Sequence, residues 1–184
     1  AIAYQNDDYG KQGLEGAQKQ LAKSGLKLVE EIPVNVADTD MKPHIMKFRK
    51  AEAEAILLFV GPGHVARLQG TAKAMQFTPQ WMTSTTCGDV PLMMAITKGI
   101  YAGTIIASFG IMDPKAVGIG NKEDSNNPSL PLLAKYKKDA YEKFAAKEER
   151  WGMTFAAGIG FVEPFVEALK RVGRDLTREK LVAE

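Results

Sequence analysis

The side chains best suited to nucleophilic or metal chemistry are one cysteine, Cys87, and two histidines, His44 and His64. A thiol becomes a working nucleophile only beside a base that a third group orients. No such third group is visible here, so thiol catalysis is not expected. His44 falls one turn into a helical stretch, where it is expected to face water. No His/Cys pair has metal-ligand spacing, and Asp7-Asp8 reads as a helix cap rather than a ligand pair. The sequence therefore names no catalytic residue, no metal and no cofactor, and an enzyme is not the expectation.

Gly61-Pro62-Gly63-His64-Val65-Ala66 matches the G-x-G-x-x-A dinucleotide fingerprint, directly after a strand-like run. That fingerprint belongs after the first strand of its unit, with an acid ending the next strand to hold the ribose. Here the next strand runs into Thr83-Ser84-Thr85-Thr86, which offers no acid. Pro62 also removes a backbone donor where a phosphate would want one. The stretch reads as a structural turn.

Two polar stretches remain. Asn6-Asp7-Asp8-Tyr9-Gly10 places polar groups, an aromatic ring and a glycine just ahead of a helix, whose N-terminus favours anions and polar groups. Its plainer reading is a capping loop with a packed tyrosine. Thr83–Thr86 clusters hydroxyls, which serve either a ligand or the cap of the following helix.

These stretches are positioned by strands and helices that alternate along the chain. Strands are expected at residues 1–5, at 26–32 (stopped by Pro33), at 55–60, at 80–84 and at 101–108. Helices are expected with apolar stripes Leu14, Ala17 and Leu21; Met41, Ile45 and Phe48, capped by Asp38 or Asp40; and Val65, Leu68, Ala72 and Met75. A short helix should cover 89–97. A Gly/Asn/Pro-rich loop spans 110–131. Two helices follow, striped by Leu133, Tyr136, Ala140 and Phe144, and by Val162, Phe165, Leu169 and Val172. Pro164 with Gly158 and Gly160 should kink or delay the last of these.

Alternation of this kind implies an α/β fold, a mostly parallel sheet with helices on both faces. Ligands of such sheets sit outside the carboxyl ends of the strands. The candidate ligand-binding residues are accordingly Tyr9 after the first strand, Gly61 and Pro62 after the third, Ser84 and Thr85 after the fourth, and Phe109 after the fifth.

Composition narrows the class. With 184 residues, 45% hydrophobic and 25% charged, the chain suits a folded core without metal or disulfide, and not disorder or a coiled coil. Apolar runs have strand length, far short of the ~18 residues of a membrane span. A net charge of +2 gives no ground for a nucleic-acid partner. Residues 130–184 carry eleven basic and nine acidic side chains, as solvated helix faces do. The chain opens inside a strand pattern and stops within a helical one, so it is expected to be a piece of a longer protein.

The stretch Tyr4-Gln5-Asn6-Asp7-Asp8-Tyr9-Gly10, with Gly13 to Ala17 after it, resembles the opening of the second lobe of type I periplasmic solute-binding proteins. More narrowly it is similar to the branched-chain amino acid binding family of ABC transporters. Asp38-Thr39-Asp40-Met41, Ala53-Glu54-Ala55-Ile56-Leu57-Leu58, Lys98-Gly99-Ile100-Tyr101-Ala102-Gly103 and Ala168-Leu169-Lys170-Arg171-Val172-Gly173 resemble later family segments in the same order.

The resemblance implies one Rossmann-like lobe, residues 1–184, of a two-lobe protein that closes on a small solute by hinge motion. It implies an extracytoplasmic protein, periplasmic or extracellular, with a lipid anchor as one form of attachment. Its partners would be the solute, the missing N-terminal lobe and a membrane permease. A sensory or regulatory ligand-binding domain of the same fold is the alternative, and a nucleotide-dependent enzyme the weaker one. Of the second-lobe ligand positions, Tyr9 matches the family tyrosine. Pro62 stands where an aromatic is common, and Thr85 where the family places an acid for the ligand's ammonium. That last departure implies a carboxylic acid or amide rather than a standard amino acid.

Overall fold

The computed structural model describes residues 1–107 and 130–183. The chain divides into two compact units, Ala1–Gly110 and Ile111–Glu184.

The first unit runs β1 (Ile2–Gln5), α1 (Asp8–Ala22), β2 (Glu31–Val34), α2 (Lys42–Lys50), β3 (Ala55–Phe59), α3 (Pro62–Ala74), β4 (Gln80–Thr83), a 3-10 turn at Thr85–Cys87, α4 (Val90–Ile96) and β5 (Ile105–Ile106). All strand pairs are parallel, in the order β2-β1-β3-β4-β5. The α/β reading is therefore correct.

Register sorts the side chains into two faces, because alternate residues of a strand point opposite ways. Ile32, Ala3, Leu58, Thr83 and Ile106 share one row. That face packs against Met41, Ile45 and Phe48 of the α2 region and Val65, Leu68 and Ala72 of α3, all buried. These are the expected apolar stripes, and their burial drives both helices onto the sheet.

Helix α1 covers the opposite face over β1 and β3. Two glycines let it approach closely. A Cβ on Gly10 would lie 1.9 Å from the Gln5 carbonyl oxygen, and one on Gly13 would lie 2.4 Å from the Phe59 ring. Beyond α1 the row Leu57, Met82 and Ile105 is only partly covered, with Met82 36% and Ile105 52% exposed. The third strand is thus fully buried on one face and half-buried on the other, not sealed on both.

Several expected boundaries move. Residues 26–30 are not strand, and β2 continues through Pro33. This strand lies at the sheet edge, where a residue without an N–H breaks no ladder on its free side. The fifth strand shrinks to Ile105–Ile106. Tyr101 sits instead in a turn between Gly99 (φ 84°) and Gly103 (φ 83°), left-handed positions that glycine adopts without strain. The expected fourth helix is α4, capped by Asp89, which accepts from the Leu92 N–H at 3.1 Å.

In the second unit, α5 (Leu130–Tyr136) continues through a π-helical stretch, Lys137–Tyr141, into a last turn at Glu142–Phe144. Helices α6 (Met153–Val172) and α7 (Arg178–Ala183) follow. Leu133, Tyr136, Trp151 and Ala156 form its small core, with Tyr141 edge-on to Phe155 at 5.1 Å. The Tyr136 hydroxyl donates to Glu163, and that bond, ahead of burial, pushes the phenol up to about 12. Helix α6 starts ahead of Gly158, Gly160 and Pro164 and runs through all three, so the expected delay does not occur.

Candidate functional site

The carboxyl ends of β1, β3 and β4 bring the candidate residues to one edge of the sheet. Helix α1 starts at Asp8, inside the expected capping loop Asn6–Gly10 rather than after it. Asp7 is its N-cap, accepting from the Gly10 N–H at 3.0 Å, while the Gln5 side-chain amide donates to its other carboxylate oxygen at 2.6 Å. Those donors, the Gly10 N–H foremost, hold the Asp7 carboxyl below the ordinary carboxylate value. Asp7 thus caps, as the sequence implied.

Tyr9 consequently sits in the first turn of α1, not before it. Its half-buried ring lies on Phe59, the last residue of β3, with centroids 4.6 Å apart and planes tilted by 32°. Such offset pairs add stability beyond the area they bury. The phenol oxygen reaches across β3 to the loop after β4. There it is 2.7 Å from the Ser84 hydroxyl and 2.7 Å from the Thr86 hydroxyl.

Tyr9 and Ser84 therefore meet, although 75 residues separate them. Thr85 lies between the two hydroxyls that Tyr9 engages and opens the 3-10 turn. Ser84 precedes that turn in extended conformation without capping it through its side chain. The hydroxyls accordingly serve Tyr9, and Asp89 caps α4 instead.

Gly61 caps α3 in ordinary extended backbone (φ −70°), and Pro62 takes the first helical position. The Gly61 backbone runs beside Gln5, whose side-chain oxygen would lie 3.8 Å from a Cβ there. Phe109 lies outside the described residues. Phe59 and Thr86 belong to the cluster and were not singled out in the sequence. The run of hydroxyls at 83–86 was the available signal for Thr86, whereas Phe59 read only as the end of an apolar strand.

A second polar layer lies beneath the hydroxyls. The Tyr101 hydroxyl donates to the Cys87 carbonyl at 2.6 Å and accepts from the Thr83 hydroxyl at 2.8 Å. The Tyr101 N–H donates to the Thr97 hydroxyl at 3.2 Å, and that hydroxyl donates to the Met93 carbonyl at 2.7 Å. This buried set ties the turn after β4 to α4. Through Thr83 and Cys87 it holds the segment between them, and the Cys87 N–H donates to the Ser84 carbonyl at 3.1 Å.

The remaining chemical candidates behave as structure. Cys87 is buried, its Sγ 3.5 Å from the Val60 carbonyl oxygen, and desolvation pushes its thiol up to about 12. It carries no thiolate character at neutral pH. His44 does not face water: its side chain is 15% exposed, with Nε2 3.8 Å from the Asp38 carboxylate. Among the described residues no group of three His, Cys, Asp or Glu side chains is placed to hold a metal. No helix among them is long and apolar enough to cross a membrane.

A parallel α/β unit with its polar cluster at the strand carboxyl ends is a ligand-binding architecture. The chain belongs to the periplasmic binding protein family, whose family model matches residues 1–184. No curated protein matches it.

Among solved structures it is similar to a fatty acid ABC transporter substrate-binding protein from Thermomonospora curvata. The identity is 25% and the TM-score 0.72, over 99% of this chain and 43% of that one. A substrate-binding periplasmic protein from Ralstonia solanacearum is 18% identical with a TM-score of 0.77, over 98% of this chain and 47% of that one. A leucine-binding protein from Thermotoga maritima is 16% identical with a TM-score of 0.68, over 99% and 47%. The chain thus spans less than half the length of each of these three structures.

Proposed function

We propose that this chain is part of the two-lobe solute receptor of an ABC transporter, and that it holds a small organic acid or amide at the carboxyl ends of β1, β3 and β4. The receptor works outside the cytoplasm, in the periplasm or at the cell surface, and hands its solute to a membrane permease. Tyr9, Gly61, Pro62, Ser84, Thr85 and Phe109 are this part's contribution. A second lobe supplies the rest and closes over the ligand.

The observation that carries the ligand class is the neutral cluster of Tyr9, Ser84 and Thr86 hydroxyls beside Thr85. An ammonium taken out of water wants a carboxylate partner, and leaving it unpaired costs several kcal/mol. Hydroxyls and a ring offer donors, lone pairs and a flat apolar face instead, which suit an uncharged or acceptor head on an organic body. The ligand class of the Thermomonospora protein, a fatty acid, has that chemistry and supports the reading.

A thermal-shift panel on the full-length protein tests it. Aliphatic and aromatic carboxylic acids and their amides should give the largest stabilisation. A leading response to leucine, isoleucine or valine would overturn the ligand class.

A further inference from the structure

The loop that carries Ser84, Thr85 and Thr86 is joined at both ends by one side chain from another part of the chain. The Tyr101 hydroxyl donates its single proton to the Cys87 carbonyl, and its oxygen takes the Thr83 hydroxyl proton. Thr83 is the last residue of β4 and Cys87 the last of the 3-10 turn, so these two bonds bracket residues 84–86. Tyr101 is 2% exposed, and Thr83 and Cys87 are fully buried, so water does not stand in for either bond. Burial also pushes the Tyr101 phenol up to about 12, which keeps its proton in place at neutral pH.

Tyr101 is anchored beyond the other end of α4, where its N–H donates to the Thr97 hydroxyl and that hydroxyl to the Met93 carbonyl. Helix α4 has seven residues, about 10 Å of rise, so a tyrosine fixed past its C-terminal end reaches the loop before its N-terminal end. The loop has two backbone bonds of its own, Cys87 N–H to the Ser84 carbonyl at 3.1 Å and Gly88 N–H to the Thr85 carbonyl at 2.9 Å. Such a single turn is weak by itself.

We infer that Tyr101 is a positioning residue of the solute site: it clamps Thr83 to Cys87, fixes the path of residues 84–86 between them, and so raises solute affinity without touching the solute. A loop that holds its binding path only part of the time lowers affinity by that fraction. The inference rests on the solute-binding reading and fails separately from it.

Two measurements on the full-length protein test it, amide hydrogen exchange without ligand and calorimetry with octanoate. Tyr101→Phe should speed exchange of the Cys87 and Gly88 N–H groups at least about ten-fold relative to the Leu57 N–H, which bonds the Ala1 carbonyl in the sheet. It should weaken octanoate about 3- to 10-fold, the range of one hydrogen bond. Thr83→Val, which keeps the shape and removes one arm of the clamp, should act in the same direction and less. Tyr101→Phe combined with Thr83→Val should lose no more than Tyr101→Phe alone, because the two hydroxyls act through each other. Phe48→Leu, in the core under α2, should lower stability and leave octanoate affinity unchanged.

A merely structural role for Tyr101 would raise exchange at Leu57 together with Cys87 and Gly88, or leave octanoate affinity untouched. Either result overturns the inference while the solute-binding reading stands. Octanoate left unbound by the unsubstituted protein overturns the organic-acid reading and the inference with it.

Discussion

Tyr9→Phe combined with Ser84→Ala measures the cluster without any ligand. Tyr9→Phe keeps the ring on Phe59, so the stacking at 4.6 Å survives and only the hydroxyl is lost. The loss falls mainly on Ser84, which is 7% exposed and bonds Tyr9 alone among the described residues. A buried hydroxyl left without a partner costs about 1–3 kcal/mol, while removing both partners of such a bond is nearly neutral. Tyr9→Phe should therefore destabilise by about 1–2 kcal/mol. Ser84→Ala alone should cost about 0.5 kcal/mol, since Tyr9 keeps Thr86. The double variant should cost less than Tyr9→Phe alone, which leaves a coupling of about 1 kcal/mol.

Urea unfolding followed by tryptophan fluorescence gives these numbers. Of the two tryptophans, Trp81 lies on β4 and Trp151 in the second unit, so a Trp151→Phe background confines the signal to the sheet. Costs that simply add, within about 0.3 kcal/mol, would show that the Tyr9 and Ser84 hydroxyls do not depend on each other and would refute the reasoning.

Gly10→Ala puts a methyl 1.9 Å from the Gln5 carbonyl oxygen, a backbone atom that cannot swing aside, so α1 must leave β1. A loss of about 3 kcal/mol or more in urea unfolding is expected, above the usual overpacking range, and a near-neutral variant would contradict the close approach. Cys87, its thiol pushed up to about 12 by burial, should resist a thiol reagent at pH 8 in the native protein and react fully in denaturant. Rapid native labelling would place it at the surface instead. The Asp7 carboxyl titrates lower in the folded protein than its ordinary 3.8, so its stabilising effect is complete above that value and is lost as pH falls through the folded value. Asp7→Asn should flatten the acid side of the stability profile below about pH 4, and an unchanged profile would remove the cap from the account.

The helices that pack on the sheet were legible because their stripes repeat with the helical period. Met41, Ile45 and Phe48, and then Val65, Leu68 and Ala72, all sit in the core as spaced. Proline and glycine were less informative because their effect depends on tertiary place. A proline would end a central strand, but Pro33 is tolerated in β2 at the edge. Pro164 would strain a helix through the carbonyl four residues back, which belongs to Gly160. With no Cβ and open space around it, that turn can tilt, and α6 continues. Tyr101 misled for another reason: an apolar run reads as strand, although two left-handed glycines bend it into a turn that buries the ring.

The site was legible as a location and not as a set of partners. Parallel strands place their following loops at one edge, which already singled out Tyr9 and Ser84. The partners depend on strand order, because β3 lies between β1 and β4 and neighbouring strands are about 4.8 Å apart. Tyr9 must therefore span an intervening strand, and Phe59 ends that strand as a flat platform for its ring. A tyrosine is long enough to cross and carries its hydroxyl at the far end, where the loop after β4 meets it. In that loop the extended Ser84 followed by a tight turn brings alternate hydroxyls, Ser84 and Thr86, to the phenol. No spacing within the linear run Thr83-Ser84-Thr85-Thr86 distinguishes Thr86 from Thr85. The distinction arises only when the ring of Tyr9, supported by Phe59, arrives from 77 residues away.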